Sequence, residues 1–419
     1  MKIALINIDD NLGGASIASI RLLNSLKKYT NLDVSLFVQN KTLDNSNIIQ
    51  IKQGNNYKLK NKLRFIVERL FFLKYEKEKK IRFLFSPAII GIDLTKKINL
   101  LEYDLIHLHW INFGFLSLNN LEKIFELNKP IVWTLHDMWP FTGGCHYSGT
   151  CENFKTNCGN CEPFLRNHFK NDLSNKIFLK KQKIYKDKNI YFVGCSKWIS
   201  NLAKSSNLLP KRHIFNIPNP INNGVFKKLN RERLREKYNL NPDKNYILFL
   251  AMNTEDERKG FKYFIDSIFL LRNINIEFEI LVVGKINSPL LKTSINLPKT
   301  ISEDILCEYY NLADVFIAPS LQDNLPNTIV ESLSCGTPVV SFNIGGIPEI
   351  IDHLETGYLA KYKDSKDMAE GIKWCFENST NDLREKCIKI SIEKFNESKV
   401  ALKYQSLYND IINDNKLQA

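Results

Sequence analysis

Residues 314–349 read DVFIAPSLQDNLPNTIVESLSCGTPVVSFNIGGIPE, and the order of residue types in this stretch decides the fold. Asp314 to Ser320 is a short apolar run of strand type, and Leu321 to Pro326 is a turn. Asn327 to Ser334 has helical composition, with Gly336 where a C-cap would fall. Pro338 opens a second apolar run that ends in Gly345-Gly346, and a helix start is expected at Pro348-Glu349. Strand, helix, strand, helix predicts an α/β chain built on an open parallel sheet.

In such a sheet, ligands bind beyond the carboxyl ends of the strands, against helix N-termini whose amides and dipole attract phosphate. Asp323 sits in that loop, and Glu331 follows eight residues on, about two helical turns away, so both carboxylates can face one crevice. Two acceptors at this spacing suit the vicinal hydroxyls of sugars and riboses.

The stretch resembles the nucleotide-sugar site of the retaining glycosyltransferases of family 4, in which two glutamates separated by seven residues hold the donor. The resemblance implies that Asp323 and the backbone from Asn324 and Leu325 to Asn327 and Thr328 hold the transferred sugar, and that Glu331 holds the ribose. Asp323 stands where the family has Glu and is one methylene shorter. The segment SCGTPVVSFNIGGIPEII, residues 334–351, is similar to the family's (A/S)xGxPVVxxxxGGxxEII.

Length and charge set the frame. A chain of 419 residues suits two domains of about 200 each, and no window approaches the roughly 18 uninterrupted apolar residues of a membrane span. The start MKIALINIDD reads as a strand and not a signal peptide, so a cytosolic protein is expected. The net charge of +13 points to anionic partners: nucleotide diphosphates, a membrane surface or nucleic acid. Nucleic acid ranks last, because no helix-turn-helix, RNA-binding or basic-zipper pattern is visible.

Lys2 to Asp9 is a strand run leading through DDNLGGASIAS into a helical stretch from Ile17 to Lys27. Gly13 and Gly14 allow backbone to approach a ligand there, and family 4 proteins carry a similar Gly-Gly-Ala loop. Lys58 to Phe85 reads KLKNKLRFIVERLFFLKYEKEKKIRFLF, with Leu63, Ile66, Val67, Leu70 and Phe71 at helical spacing and ten basic residues against three Glu from Lys58 to Arg82. Two readings stand. The helix lies on an anionic bilayer, such as the cytoplasmic face of an inner membrane, or it packs into the core with a solvated rim.

YDLIHLHW and PIVWTLH read as buried parallel strands whose carboxyl ends carry His109 and His136. His136 followed by Asp137 matches the strand-end His of family 4 that contacts the donor sugar. Cys145, Cys151, Cys158 and Cys161 follow within seventeen residues, and in a chain expected to be cytosolic they favour a structural zinc over disulfides. His146 or His168 can replace one ligand, and unligated or redox-active thiols are the other reading. A subgroup of family 4 is similar here, with WPFTGGCHY followed by further cysteines.

IFNIPNPINNGVF has the turn-rich composition of a linker. Beyond it, Tyr246 to Met252 is a strand, and Arg258 and Lys259 precede Gly260 and an amphipathic helix, well placed for a diphosphate. Both resemble the family's phosphate-clamping pair, although the family Arg usually sits earlier, where this chain has Asn253-Thr254.

The resemblance implies the GT-B arrangement. Residues 1–218 form a Rossmann-like acceptor domain with a cysteine-rich loop at 141–164, residues 219–390 form a Rossmann-like nucleotide-sugar domain, and 391–419 return to the first domain. It also implies a retaining transfer from a nucleotide-diphosphate sugar to a glycan or lipid-linked acceptor in cell-surface polysaccharide synthesis. His136, Asp323, Arg258 and Lys259 are the candidate catalytic residues. No DxD motif is visible, so no catalytic metal is expected, and the departing phosphate takes the acceptor's proton. A nucleotide-sugar epimerase, a sugar phosphorylase or a non-catalytic sugar-nucleotide protein stay open as alternatives on the same fold.

Overall fold

A computed structural model describes residues 1–51, 54, 56–251, 256–284, 293–300 and 302–418. The chain divides into two compact units, Met1–Asn219 with Ser398–Ala419, and Pro220–Glu397. The first break falls one residue after the expected 218. The return to the first unit comes at Ser398, not at 391, because the helix Asn381–Phe395 stays with the second unit.

In the first unit, β1 (Lys2–Asp9), α1 (Gly14–Tyr29), β2 (Asp33–Asn40), β3 (Ile48–Gln50) and α2 (Tyr57–Leu73) are followed by β4 (Leu105–Leu108), α3 (Leu118–Phe125) and β5 (Ile131–Leu135). Then come α4 (Leu173–Tyr185), β6 (Ile190–Gly194), α5 (Lys197–Ser205) and β7 (Ile214–Asn216). All pairings are parallel, in the order β3-β2-β1-β4-β5-β6-β7. The strands are apolar on both faces, as burial between two helical layers requires. Ala4, Ile6, Ile106, Leu108 and Trp133 face one core, and Ile3, Leu5, Leu105 and Val132 face the other.

The second unit holds α6 (Arg231–Lys237), β8 (Tyr246–Ala251), α7 (Phe261–Asn273), β9 (Glu279–Gly284), β10 (Ile295–Leu297), α8 (Glu303–Leu312) and β11 (Val315–Ala318). It continues with α9 (Asn327–Ser334), β12 (Val339–Phe342), β13 (Gly357–Ala360), α10 (Ser365–Glu377) and α11 (Asn381–Phe395). The parallel order is β10-β9-β8-β11-β12-β13. The helix expected from Pro348 is a single 3-10 turn, Ile347–Glu349. The next strand begins eight residues later, and the chain between them is taken up by a turn in which the Thr356 hydroxyl accepts from the Asp352 amide at 2.9 Å.

The last helix, α12 (Glu397–Gln418), belongs to the first unit from Ser398 onward. Val400, Ala401, Tyr404, Leu407, Tyr408 and Ile411 share the core cluster of β1, β2 and α1. No helix among the described residues is long and apolar enough to cross a membrane.

Candidate functional site

In the second sheet the strand order reverses between β8 and β11, and the loop after β11 carries Asp323. Two neighbouring loops hold it. The Leu321 amide donates to the Arg258 carbonyl at 2.6 Å, and the Gly346 amide donates to the Asp323 carbonyl at 3.3 Å. Both flanks need glycine. Gly260 has φ +66, and a Cβ there would lie 1.8 Å from the Pro319 oxygen; Gly345 has φ +58, and its Cβ would lie 2.0 Å from the Asp323 oxygen.

The Asp323 carboxylate meets the Lys259 ammonium at 3.0 Å, also accepts from Ser320 Oγ at 3.3 Å, and takes the Asn324 amide on its other oxygen at 3.0 Å. Asn324 and Leu325 are buried, while Asn327 and Thr328 sit half-buried at the start of α9. No acidic residue and no side-chain cap occupy that helix start, so its dipole favours an anion. Glu331, one turn further in, is buried, and its Oε2 accepts from the Tyr310 hydroxyl of α8 at 2.9 Å.

Arg258 is directed elsewhere. Its guanidinium pairs with Asp256, 2.7 Å to Oδ2 and 3.1 Å to Oδ1, two residues back in the same loop. A carboxylate so close in sequence captures the fork, and Lys259 alone of the two cations reaches Asp323. Asn253-Thr254, where the family Arg would stand, lie outside the described residues.

In the first unit Gly13 precedes α1 with φ +85 and open space around a Cβ. Asn7 anchors this turn: its amide donates to Ser16 Oγ at 3.0 Å, and its oxygen accepts the Trp110 amide at 2.9 Å. At the ends of β4 and β5, His109 Nδ1 and His136 Nε2 lie 3.0 Å apart, and His136 Nδ1 lies 3.7 Å from Cys195 Sγ. Burial, opposed by Asp137, pushes the His136 pKa down to about 4, and burial holds His109 well below its ordinary value. Both rings are neutral at neutral pH, so they serve as hydrogen-bonding groups and not as cations. His109 Nε2 is buried with no hydrogen-bond partner among the described residues.

A family model described as "Glycosyl transferases group 1" matches residues 230–394. That segment, about two-fifths of the chain, is similar to the group 1 glycosyltransferases. N-acetyl-alpha-D-glucosaminyl L-malate synthase of Bacillus anthracis is 20% identical over 49% of this chain and 56% of its own length. The putative colanic acid biosynthesis glycosyl transferase WcaC of Escherichia coli is 24% identical over 60% of this chain and 61% of its own. The chain thus spans about three-fifths of the length of these two curated relatives. Sucrose-phosphate synthase of Thermosynechococcus elongatus superposes with a TM-score of 0.68 at 17% identity over 99% of both chains. Anabaena Alr3699/HepE, solved with UDP, superposes at 0.66 with 15% identity over 98% of this chain and 100% of its own. Both show the same two-unit GT-B fold as this chain.

The matched segment contains Asp323, Lys259, Asn324, Leu325, Asn327, Thr328 and Glu331, whereas Gly13, Gly14 and His136 lie outside it. The four cysteines expected to hold a structural zinc come together in the first unit. Cys145, Cys151, Cys158 and Cys161 all line one pocket with Phe85, Phe154 and Phe164, but no three His, Cys, Asp or Glu among the described residues are placed to hold a metal ion. Burial pushes the Cys158 thiol up to about 11 and Cys161 to about 12 and raises Cys145 well above its ordinary value. His146 is not spare either: its Nδ1 meets Asp137 Oδ2 at 2.7 Å and its Nε2 meets Ser86 Oγ at 2.9 Å. Ser86 is wholly buried, and this hydrogen-bond chain ties the loops of Ser86, Asp137 and His146 together.

Two further groups escaped the sequence. Tyr310, which donates to Glu331, lies twenty-one residues upstream with no motif around it. His107 donates or accepts at both nitrogens, 2.7 Å from Tyr408 and 2.7 Å from Thr134. The first of these partners comes from α12, about three hundred residues away.

Proposed function

We propose that the protein is a retaining glycosyltransferase. It takes a sugar from a nucleotide-diphosphate donor to a glycan or lipid-linked acceptor in the synthesis of a cell-surface polysaccharide. The observation that carries this reading is the Lys259–Asp323 pair beside the N-terminus of α9, in a segment similar to group 1 glycosyltransferases, with Glu331 buried eight residues on. Relatives named for colanic acid and for capsular polysaccharide biosynthesis, and a related fold solved with UDP-glucose, support the donor and acceptor classes.

Asp323 accepts hydrogen bonds from hydroxyls of the transferred sugar, with the amides from Asn324 to Thr328 beside it. Glu331, its carboxylate steadied by Tyr310, accepts from the vicinal hydroxyls of the ribose. Lys259 and the α9 dipole take up the negative charge that grows on the diphosphate as the anomeric C–O bond breaks. The bond to the acceptor oxygen forms on the same face, and the acceptor's proton passes to the departing phosphate. Arg258 assists only once a donor phosphate competes it away from Asp256.

The test is thermal stabilisation by a panel of nucleotides and nucleotide sugars, repeated with Glu331→Ala, followed by assay of nucleoside diphosphate release. A ligand at a hundredfold excess over its Kd stabilises by about 2.7 kcal/mol. Stabilisation by one donor that vanishes in Glu331→Ala, together with acceptor-dependent release, is the expected result. Silence across the panel overturns the reading, and binding without turnover leaves a sugar-nucleotide protein that transfers nothing.

A further inference from the structure

Helix α2 is inside out. Its inward side carries the polar residues Asn61, Glu68 and Arg69, with only Phe72 as a buried apolar anchor. Polar bonds fasten it: Asn61 donates to Asn40 Oδ1 at 2.8 Å, Glu68 Oε2 accepts the Gly114 amide at 2.9 Å, and Arg69 donates to the Phe85 carbonyl at 3.0 Å. The outward side carries Leu59, Leu63, Ile66, Val67, Leu70 and Leu73, exposed by 56, 50, 36, 43, 57 and 42% respectively. At 100° per residue these six cluster opposite Asn61, Glu68 and Phe72. A helix that packs into a core has the reverse arrangement.

The charges around this stripe are of one sign. Lys58 and Lys62 border it on one side, Lys60 and Lys74 on the other, and all four are exposed. The acids of the segment are largely consumed. Glu68 pairs with Arg69 at 2.7 Å, and Glu76 takes Arg82 through both carboxylate oxygens. Just beyond the helix, Lys77, Lys79 and Lys80 are exposed, with Glu78 the one exposed acid among them. An apolar stripe rimmed by long cationic side chains fits one kind of surface: acyl chains beneath anionic headgroups, where the lysines reach outward to phosphate. A second copy of this chain fits poorly, because it would bring the same cationic rim against itself.

We propose that α2 docks the protein on an anionic lipid bilayer, lying in its surface with the Leu63–Leu70 stripe in the acyl boundary and the flanking lysines on the headgroup phosphates. Binding that combines apolar burial with cationic attraction weakens as salt rises.

The experiment is flotation of the full-length protein with vesicles of phosphatidylcholine alone or containing phosphatidylglycerol. Two variants accompany it, Leu63→Glu/Leu70→Glu and Lys58→Gln/Lys62→Gln/Lys74→Gln. All five side chains are exposed, and an unchanged Tm checks that the fold is kept. Wild-type protein should float with the phosphatidylglycerol vesicles and not with phosphatidylcholine alone. The triple lysine variant should lose roughly two orders of magnitude in partition at low salt, about fivefold for each lysine. The double glutamate variant should lose flotation altogether. Absence of binding to anionic vesicles, or binding that both variants leave intact, overturns the proposal. So does self-association that the double variant abolishes while vesicles bind nothing, because a second copy then covers the stripe.

Discussion

At the scale of single residues, the proposed donor site turns on hydrogen bonds to carboxylates in poorly hydrated surroundings. Glu331 is buried, and Tyr310 donates to it. A bond to a charged group is worth about 1.5–3 kcal/mol. Tyr310→Phe should therefore raise the donor KM roughly tenfold or more and leave kcat nearly unchanged, as steady-state kinetics would show. Lys259→Ala should instead lower kcat by about a hundredfold, because its charge acts mainly on the leaving group. In the first unit, burial holds His107 at about 3 and His136 at about 4, below the ordinary value of about 6.5. The folded state favours both rings neutral, and the unfolded chain takes up their protons first. Their contribution to stability is complete above about pH 6.5 and is lost as the pH falls from there toward about 4. The denaturant midpoint of the first unit should drop over that window, and His136→Gln should shallow the drop. A midpoint that stays level to about pH 4.5 would contradict the buried neutral pair.

At the scale of elements, the loop that carries Asp323 is wedged between two glycine turns. Gly345→Ala must place a methyl group against the Asp323 carbonyl and also hold a left-handed conformation, which costs about 1 kcal/mol before any clash. The variant should lose donor affinity by at least about tenfold and melt several degrees lower, read by calorimetry with and without nucleotide. The glycines, the carboxylate spacing and the strand–turn–helix order are all visible in residues 314–349, so this part of the site could be read before any coordinates. Tyr310 could not, because nothing local marks a tyrosine whose partner is brought to it by helix packing. The cysteine loop is a related case. Spacing predicts which thiols can meet, but the aromatic pocket around them decides their direction.

At the scale of the whole molecule, each unit rests on its own parallel sheet, and the chain visits the first one twice. Val400, Tyr404, Leu407, Tyr408 and Ile411 of α12 are all buried there. At about 1.5–3 kcal/mol for each large apolar side chain, their burial exceeds much of the 5–15 kcal/mol that holds a domain folded. Truncation after Glu397 should abolish the thermal transition of the first unit and leave that of residues 220–397, as differential scanning calorimetry of the truncated chain would reveal.

The sequence by itself determined the α/β class, the parallel sheets, the carboxylate pair and the stretch of unusual charge at Lys58–Arg82. Each of these is written in local periodicity, in turn residues or in composition. Tertiary structure alone decided that Arg258 turns to Asp256 while Lys259 reaches Asp323, that the four cysteines line one pocket with three phenylalanines, and that α2 shows its leucines to the outside. Those outcomes depend on which side of an element meets the core. Helical spacing marks out a face but does not say which way it points, and packing against distant segments chooses.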